Sequence, residues 1–209
     1  MKKLFALVMA LMLALGCVSA LAESEAPAYQ VYTHPVIGYT LEYPTTWLAL
    51  DTETLPVMMA MAQSTGIEGI DLSMLGNMEE QIVSANMTMF FDMMTGANFT
   101  IGAQDLGMPI DVASFNAMML PMLKAQYEQM FANCTFADDD PTVVIGDKEY
   151  SYLSATYVAN GQTTCLEQFY LVDGTVMYVI AGTYAQDRAT DELINTMGYI
   201  LATFTPAAK

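Results

Sequence analysis

The 209-residue chain carries 23 acidic residues against six lysines and arginines, for a formal charge of −17, and 54% of its residues are hydrophobic. So acidic a chain is repelled by nucleic-acid phosphates and by bare anionic lipid, which excludes both as expected partners. The single histidine, His34, rules out a multi-histidine metal centre within one chain.

The first residues read MKKLFALVMALMLALGCVSALAE: Lys2 and Lys3, an apolar run from Leu4 to Leu15, then Ala20-Leu21-Ala22. This is the pattern of a secretory signal peptide (residues 1–22), with Ala20 and Ala22 as the small residues read by signal peptidase. Cys17 sets up a competing route, lipidation, but only Gly16 before it matches a lipoprotein site, so cleavage after Ala22 is the better fit. No later segment approaches the roughly 20 apolar residues of a spanning helix. The expected product is secreted or extracytoplasmic, with a lipid anchor at the cell surface as the alternative. It has 187 residues and, with four basic against 23 acidic residues, a charge of −19.

After a polar lead-in, ESEAPA (residues 23–28), one domain is expected over residues 29–205. In GYTLEYPTTW (residues 38–47), Tyr39, Leu41 and Tyr43 alternate with Thr40 and Glu42, which predicts a half-buried strand ended by Pro44, with Trp47 closing the same core. Residues 54–86 turn helical in two pieces, LPVMMAMAQS and DLSMLGNMEEQIVSA. MTMFFDM (87–93) and NFTIGAQ (98–104) predict a strand pair joined around Thr95-Gly96-Ala97.

Asp111 caps the next helix, whose apolar stripe is Phe115, Met118, Met119, Met122, Leu123, Tyr127, Met130 and Phe131. Pro121 is expected to kink or split it, since an interior proline costs about 3 kcal/mol. Gly146-Asp147, Asn160-Gly161 and Asp173-Gly174 are hairpin turn signals about 13 residues apart and predict a four-stranded antiparallel meander from Thr142 to Tyr184. Thr190 caps a closing helix with the stripe Leu193, Ile194, Met197, Ile200, Leu201 and Phe204. The expected class is α+β: an antiparallel sheet of the C-terminal meander plus N-terminal strands, covered by helices.

Chemistry-bearing constellations are few. His34 has no G-x-S-x-G elbow to serve and reads as an exposed or edge residue. Two-residue turns put Cys165 opposite Thr156. An unbroken preceding strand puts Cys134 opposite Ala159 on the other face, which argues against a disulfide unless Asp138-Asp139-Asp140-Pro141 resets the register. Met clusters at 58–61, 87–89, 93–94 and 118–119 read first as core filler and second as soft Cu(I) ligands. The acidic turn at 138–140 reads as solvated, with Ca²⁺ as its alternative. The sequons at Asn86, Asn98 and Asn133 matter only in a glycosylating secretory path.

G-Y-T-L-E-Y-P-x-x-W, the strand pair with N-F-T-I, the long helix, the G-D-K-E-Y hairpin, the Q-F-Y-L strand with its D-G turn and the closing helix together resemble the PsbP-like and DcrB-like superfamily, in a small exported bacterial form. The resemblance implies an α/β sandwich and a non-catalytic accessory role. It carries over no catalytic residue and no cofactor, and the poverty in lysine departs from the photosynthetic members. The functional expectation is an exported, non-enzymatic interaction or ligand-binding module at the bacterial cell surface, its partner a protein or small ligand. An extracytoplasmic metal-binding protein is the alternative.

Overall fold

The computed structural model describes residues 28–57, 60, 82–138, 140–159 and 161–207. Among these residues, ten strands, two long helices and a 3-10 turn run in the order β1 (Tyr29–Thr33), β2 (Thr40–Pro44), β3 (Leu48–Leu50), β4 (Thr88–Phe91), β5 (Asn98–Asp105), α1 (Val112–Met130), β6 (Ala132–Phe136), β7 (Thr142–Ile145), β8 (Lys148–Ala159), β9 (Gln162–Asp173), β10 (Val176–Ala185), the turn Gln186–Arg188 and α2 (Asp191–Thr203). The main sheet is antiparallel with strand order β3-β4-β5-β10-β9-β8-β6, and β7 pairs with the other end of β8. Its α+β class is the one the sequence predicts.

The meander forms as its turns dictate. Ile145 faces Lys148, Ala159 faces Gln162 and Asp173 faces Val176. Gly146 and Gly174 take φ values of +66° and +68°, the left-handed conformation that a tight hairpin needs and a side chain resists. β10 then pairs along eight residues with β5, joining the meander to the N-terminal strands. Not all of those strands enter the sheet: β1 and β2 form a separate two-stranded hairpin, Tyr29 opposite Pro44 and Thr33 opposite Thr40.

Adjacent residues on each strand serve different cores. Tyr178 and Ile180 pack with the hairpin and α2 (Tyr39, Leu41, Trp47, Met197, Ile200, Phe204), while Met177 and Ala181 pack beneath α1 (Phe115, Leu120, Leu123, Tyr127). The sheet is therefore the middle layer of three, sandwiched because its apolar residues populate both faces. Tyr39, Leu41, Tyr43 and Trp47 are all buried in the α2-side core, as their alternation predicts.

Helix α1 is not split at Pro121 but runs unbroken through it, and its buried stripe differs from the one expected. Both Pro121 and Ala117, whose carbonyl loses its amide partner there, lie on the exposed side, so water can take the vacant acceptor. The buried stripe is Phe115, Leu120, Leu123 and Tyr127, whereas Met118 and Met122 face solvent. Methionine-rich sequence left the phase of the helix ambiguous, and packing of Leu120 decided it. In α2, likewise, Thr196 is buried and Ile194 turns outward.

Of the two helices predicted between residues 54 and 86, only fragments fall within the described residues, helical at Thr54–Val57 and Ile82–Ser84. No helix among the described residues is long and apolar enough to cross a membrane.

Candidate functional site

An up-and-down meander brings alternate turns to one end. The β7–β8 turn and the β9–β10 turn therefore lie together, and the end of β5 joins them because Asp105 pairs with Val176. The start of α1 and the tail after α2 close the same end. Two clefts result. The larger, of about 740 Å³, is lined by Ile110, Asp111, Val112, Asp147, Lys148, Glu149, Leu171, Val172, Asp173, Pro206 and Ala207. The smaller, of about 330 Å³, is lined by Ile37, Asn86, Ala103, Gln104, Asp105, Asp173, Val176, Tyr178 and Ala207. Asp173 and Ala207 belong to both, so the tail is the partition between them. It is held there by Ala207 N donating to Tyr178 Oη at 3.2 Å.

Apolar side chains of Ile110, Val112, Leu171 and Val172 line the larger cleft together with the carboxylates of Asp111, Asp147, Glu149 and Asp173. The one cation, Lys148, reaches Asp147 Oδ1 at 3.2 Å. Backbone and side-chain donation from Ser114 holds the Asp111 carboxyl below its ordinary range, and Lys148 does the same for Asp147. In the smaller cleft the Gly107 N–H does so for Asp105. These carboxylates stay ionised well below neutrality, so the larger cleft joins an apolar lining to a net negative charge.

A second polar constellation lies on the α2 side of the sheet. Glu167 accepts from Tyr152 Oη at 2.5 Å and from Ser154 Oγ and Tyr184 Oη at 3.3 Å. Burial, with Glu167 beside it, drives the Tyr184 hydroxyl far above its ordinary pKa. The arrangement fixes the carboxylate by neutral donors, as a structural network on a partly covered sheet does.

His34 is buried at 1% exposure, contrary to the edge position expected from the neighbouring Pro35. Its imidazole folds back over its own turn, a local use that primary structure does not advertise. Cys134 and Cys165 are free. Cys165 faces Thr156 as predicted, but β6 is offset: Thr135 faces Thr156 where an unbroken run from β7 would place Val158. The register on β8 thus differs between β6 and β7, and the two thiols still serve opposite cores.

Met87 and Met89 are core residues, while Met93, Met94 and Met118 are exposed. Asp138 and Asp140 are exposed, and Asp140 accepts the Thr142 N–H at 3.0 Å. Among the described residues no group of His, Cys, Asp or Glu gathers to hold a metal ion. Of the sequon asparagines, Asn98 is buried at 3% exposure. Ala20, Ala22 and Cys17 lie outside the described residues, as do all three methionines of the 58–61 cluster.

Asp147 and Asp173 read locally as turn residues and Asp111 as a cap. The signal for their convergence was the alternation of turns in a meander, combined with a long helix beginning at the same end.

Fold and site together define an antiparallel α+β sandwich with an acidic, partly apolar cleft at its hairpin end. No family model and no curated protein matches the chain. Among solved structures it is similar to cyanobacterial PsbP, CyanoP, from Synechocystis sp. PCC 6803, at 13% identity over 90% of this chain and 98% of that one, with a TM-score of 0.47. It is also similar to PA94 of Pseudomonas aeruginosa, a protein of unknown function, at 12% identity over 87% and 99%, with a TM-score of 0.49. A crystal structure from Bacteroides thetaiotaomicron aligns at 10% identity over 88% of this chain, with a TM-score of 0.47; the chain spans half the length of that protein.

Proposed function

We propose that this chain is an exported, non-catalytic binding module of the bacterial cell envelope that takes a cationic, partly apolar ligand in the hairpin-end cleft. The leader sequence supports the export. The observation that carries the binding reading is the 740 Å³ cleft itself, in which aliphatic side chains and four carboxylates meet a single amine. A cleft of that size fits small-molecule ligands, and its charge attracts amines and rejects phosphates and carboxylates.

NMR titration of the exported form with spermidine tests this. Shifts confined to residues around Gly146, Asp173 and Ala207, weakened by salt and by Asp147→Asn with Asp173→Asn, are the expected result. Shifts mapping elsewhere, or none at millimolar spermidine, would overturn it.

A further inference from the structure

The β1–β2 hairpin stands outside the main sheet, and its connection is tied by the only histidine of the chain. His34 Nδ1 accepts two backbone hydrogen bonds, from Val36 N at 3.2 Å and Ile37 N at 3.0 Å. An accepting Nδ1 places the neutral ring's proton on Nε2. That nitrogen is buried without a hydrogen-bond partner, in a ring 4.8 Å from Tyr39 and 6.5 Å from Tyr32, centroid to centroid.

The turn held in this way reaches the site. Ile37 lines the smaller cleft, and a Cβ on Gly38 would lie 3.9 Å from the methyl of Ala207, in the partition between the clefts. The hairpin is stitched to the same tail by two backbone bonds, Thr40 N to Thr205 O at 2.9 Å and Thr205 N to Thr40 O at 2.7 Å. Anything that frees the 34–37 turn therefore loosens a cleft wall and the partition together.

Protonation does so by simple chemistry. A hydrogen on Nδ1 points at two N–H donors, so both bonds are lost at once, and a cation is left enclosed by aromatic rings. The titratable groups facing the ring are Tyr32 on β1, Tyr39 at the head of β2 and Asp51 after β3. Asp51 attracts the imidazolium, yet its oxygens are already taken by Tyr32 Oη and by the amides of Glu53 and Thr54. Burial outweighs that attraction and holds the imidazole below its ordinary pKa.

We propose that His34 is a proton-operated latch: acidification releases the 34–37 turn, and with it the wall of the smaller cleft and the tail that divides the two clefts. The latch operates whether or not the larger cleft takes a ligand, and its test needs none.

Because there is one histidine, a single imidazole signal reports the event. In the exported form, ¹H–¹⁵N long-range spectra are expected to show the Nε2–H tautomer and a midpoint below about 6.5. Amide protection at Val36 and Ile37 should fall by up to about tenfold per pH unit below that value. Amides of Thr205 and Ala207 should lose protection alongside them. His34→Asn keeps a side-chain oxygen within reach of the same two N–H groups and does not titrate, so its protection at Val36 and Ile37 should stay flat with pH. An Nδ1–H tautomer or a midpoint at or above that of free histidine, both read on the unaltered chain, would overturn the latch. So would an Asn variant that follows the parent's pH profile, or tail amides indifferent to the opening of the turn.

Discussion

Met197 of α2 lies directly over Gly182 of β10: a Cβ built on the glycine would fall 2.3 Å from Met197 Cε and 3.5 Å from its Sδ. The glycine leaves room for the end of the Met197 side chain against the sheet, with Phe99 on β5 closing the other side at 3.8 Å. Gly182→Ala should therefore cost no more than about 1 kcal/mol in chemical denaturation, since it is the flexible end of the thioether side chain that must move. Combined with Met197→Ala the cost should be less than additive, because the second change removes the atom that collides.

Beneath α1, Tyr127 Oη donates to Gln168 Oε1 at 2.5 Å, with both residues buried. Burial pushes the phenol up to about 12, so it stays a donor through the working pH range. Tyr127→Phe keeps the ring and strands the glutamine oxygen, and the loss is expected at about 1–3 kcal/mol. Pairing it with Gln168→Leu should recover part of that in the same unfolding measurement.

Cys134 and Cys165 should stay reduced. They lie on opposite faces of one sheet, and intact mass without reductant should read both as free thiols. Burial raises both above the usual thiol range, so alkylation at neutral pH should be slow, with half-buried Cys134 reacting ahead of buried Cys165.

Asp51 caps the helical turn that begins at Thr54, its Oδ1 accepting from the amides of Glu53 at 2.9 Å and Thr54 at 2.8 Å. Burial raises its pKa, but hydrogen bonds from Tyr32, Thr54 and Glu53 together more than offset this and hold it below the ordinary carboxylate range. The stabilisation is present above the unfolded-state value and is lost as pH falls through the folded one. Asp51→Ala should cost about 1–2 kcal/mol at neutral pH. That deficit should shrink towards pH 3 in parallel denaturation curves.

Much of the fold was legible locally. The meander's strands and turns, the alternation around Tyr39 to Tyr43, the caps Asp111 and Thr190 and the β4–β5 hairpin all follow from neighbours in the chain, because turn conformation and side-chain period are short-range properties. The sequence by itself also determined the acidic charge of the chain.

Tertiary structure decided what depends on distant surfaces. Which face of α1 is buried, and hence that Met118 and Met122 point outward, rests on the fit of Leu120 and Leu123 against the sheet. The separation of the β1–β2 hairpin from the main sheet is a choice among pairings that local pattern leaves equal. So is the register offset that sets Thr135 opposite Thr156. The cleft exists only because turns 27 residues apart, a helix start and the tail meet at one end of the sheet. The buried ring of His34 is likewise a product of folding, since closure of the β1–β2 hairpin is what brings Tyr39 within 4.8 Å of it.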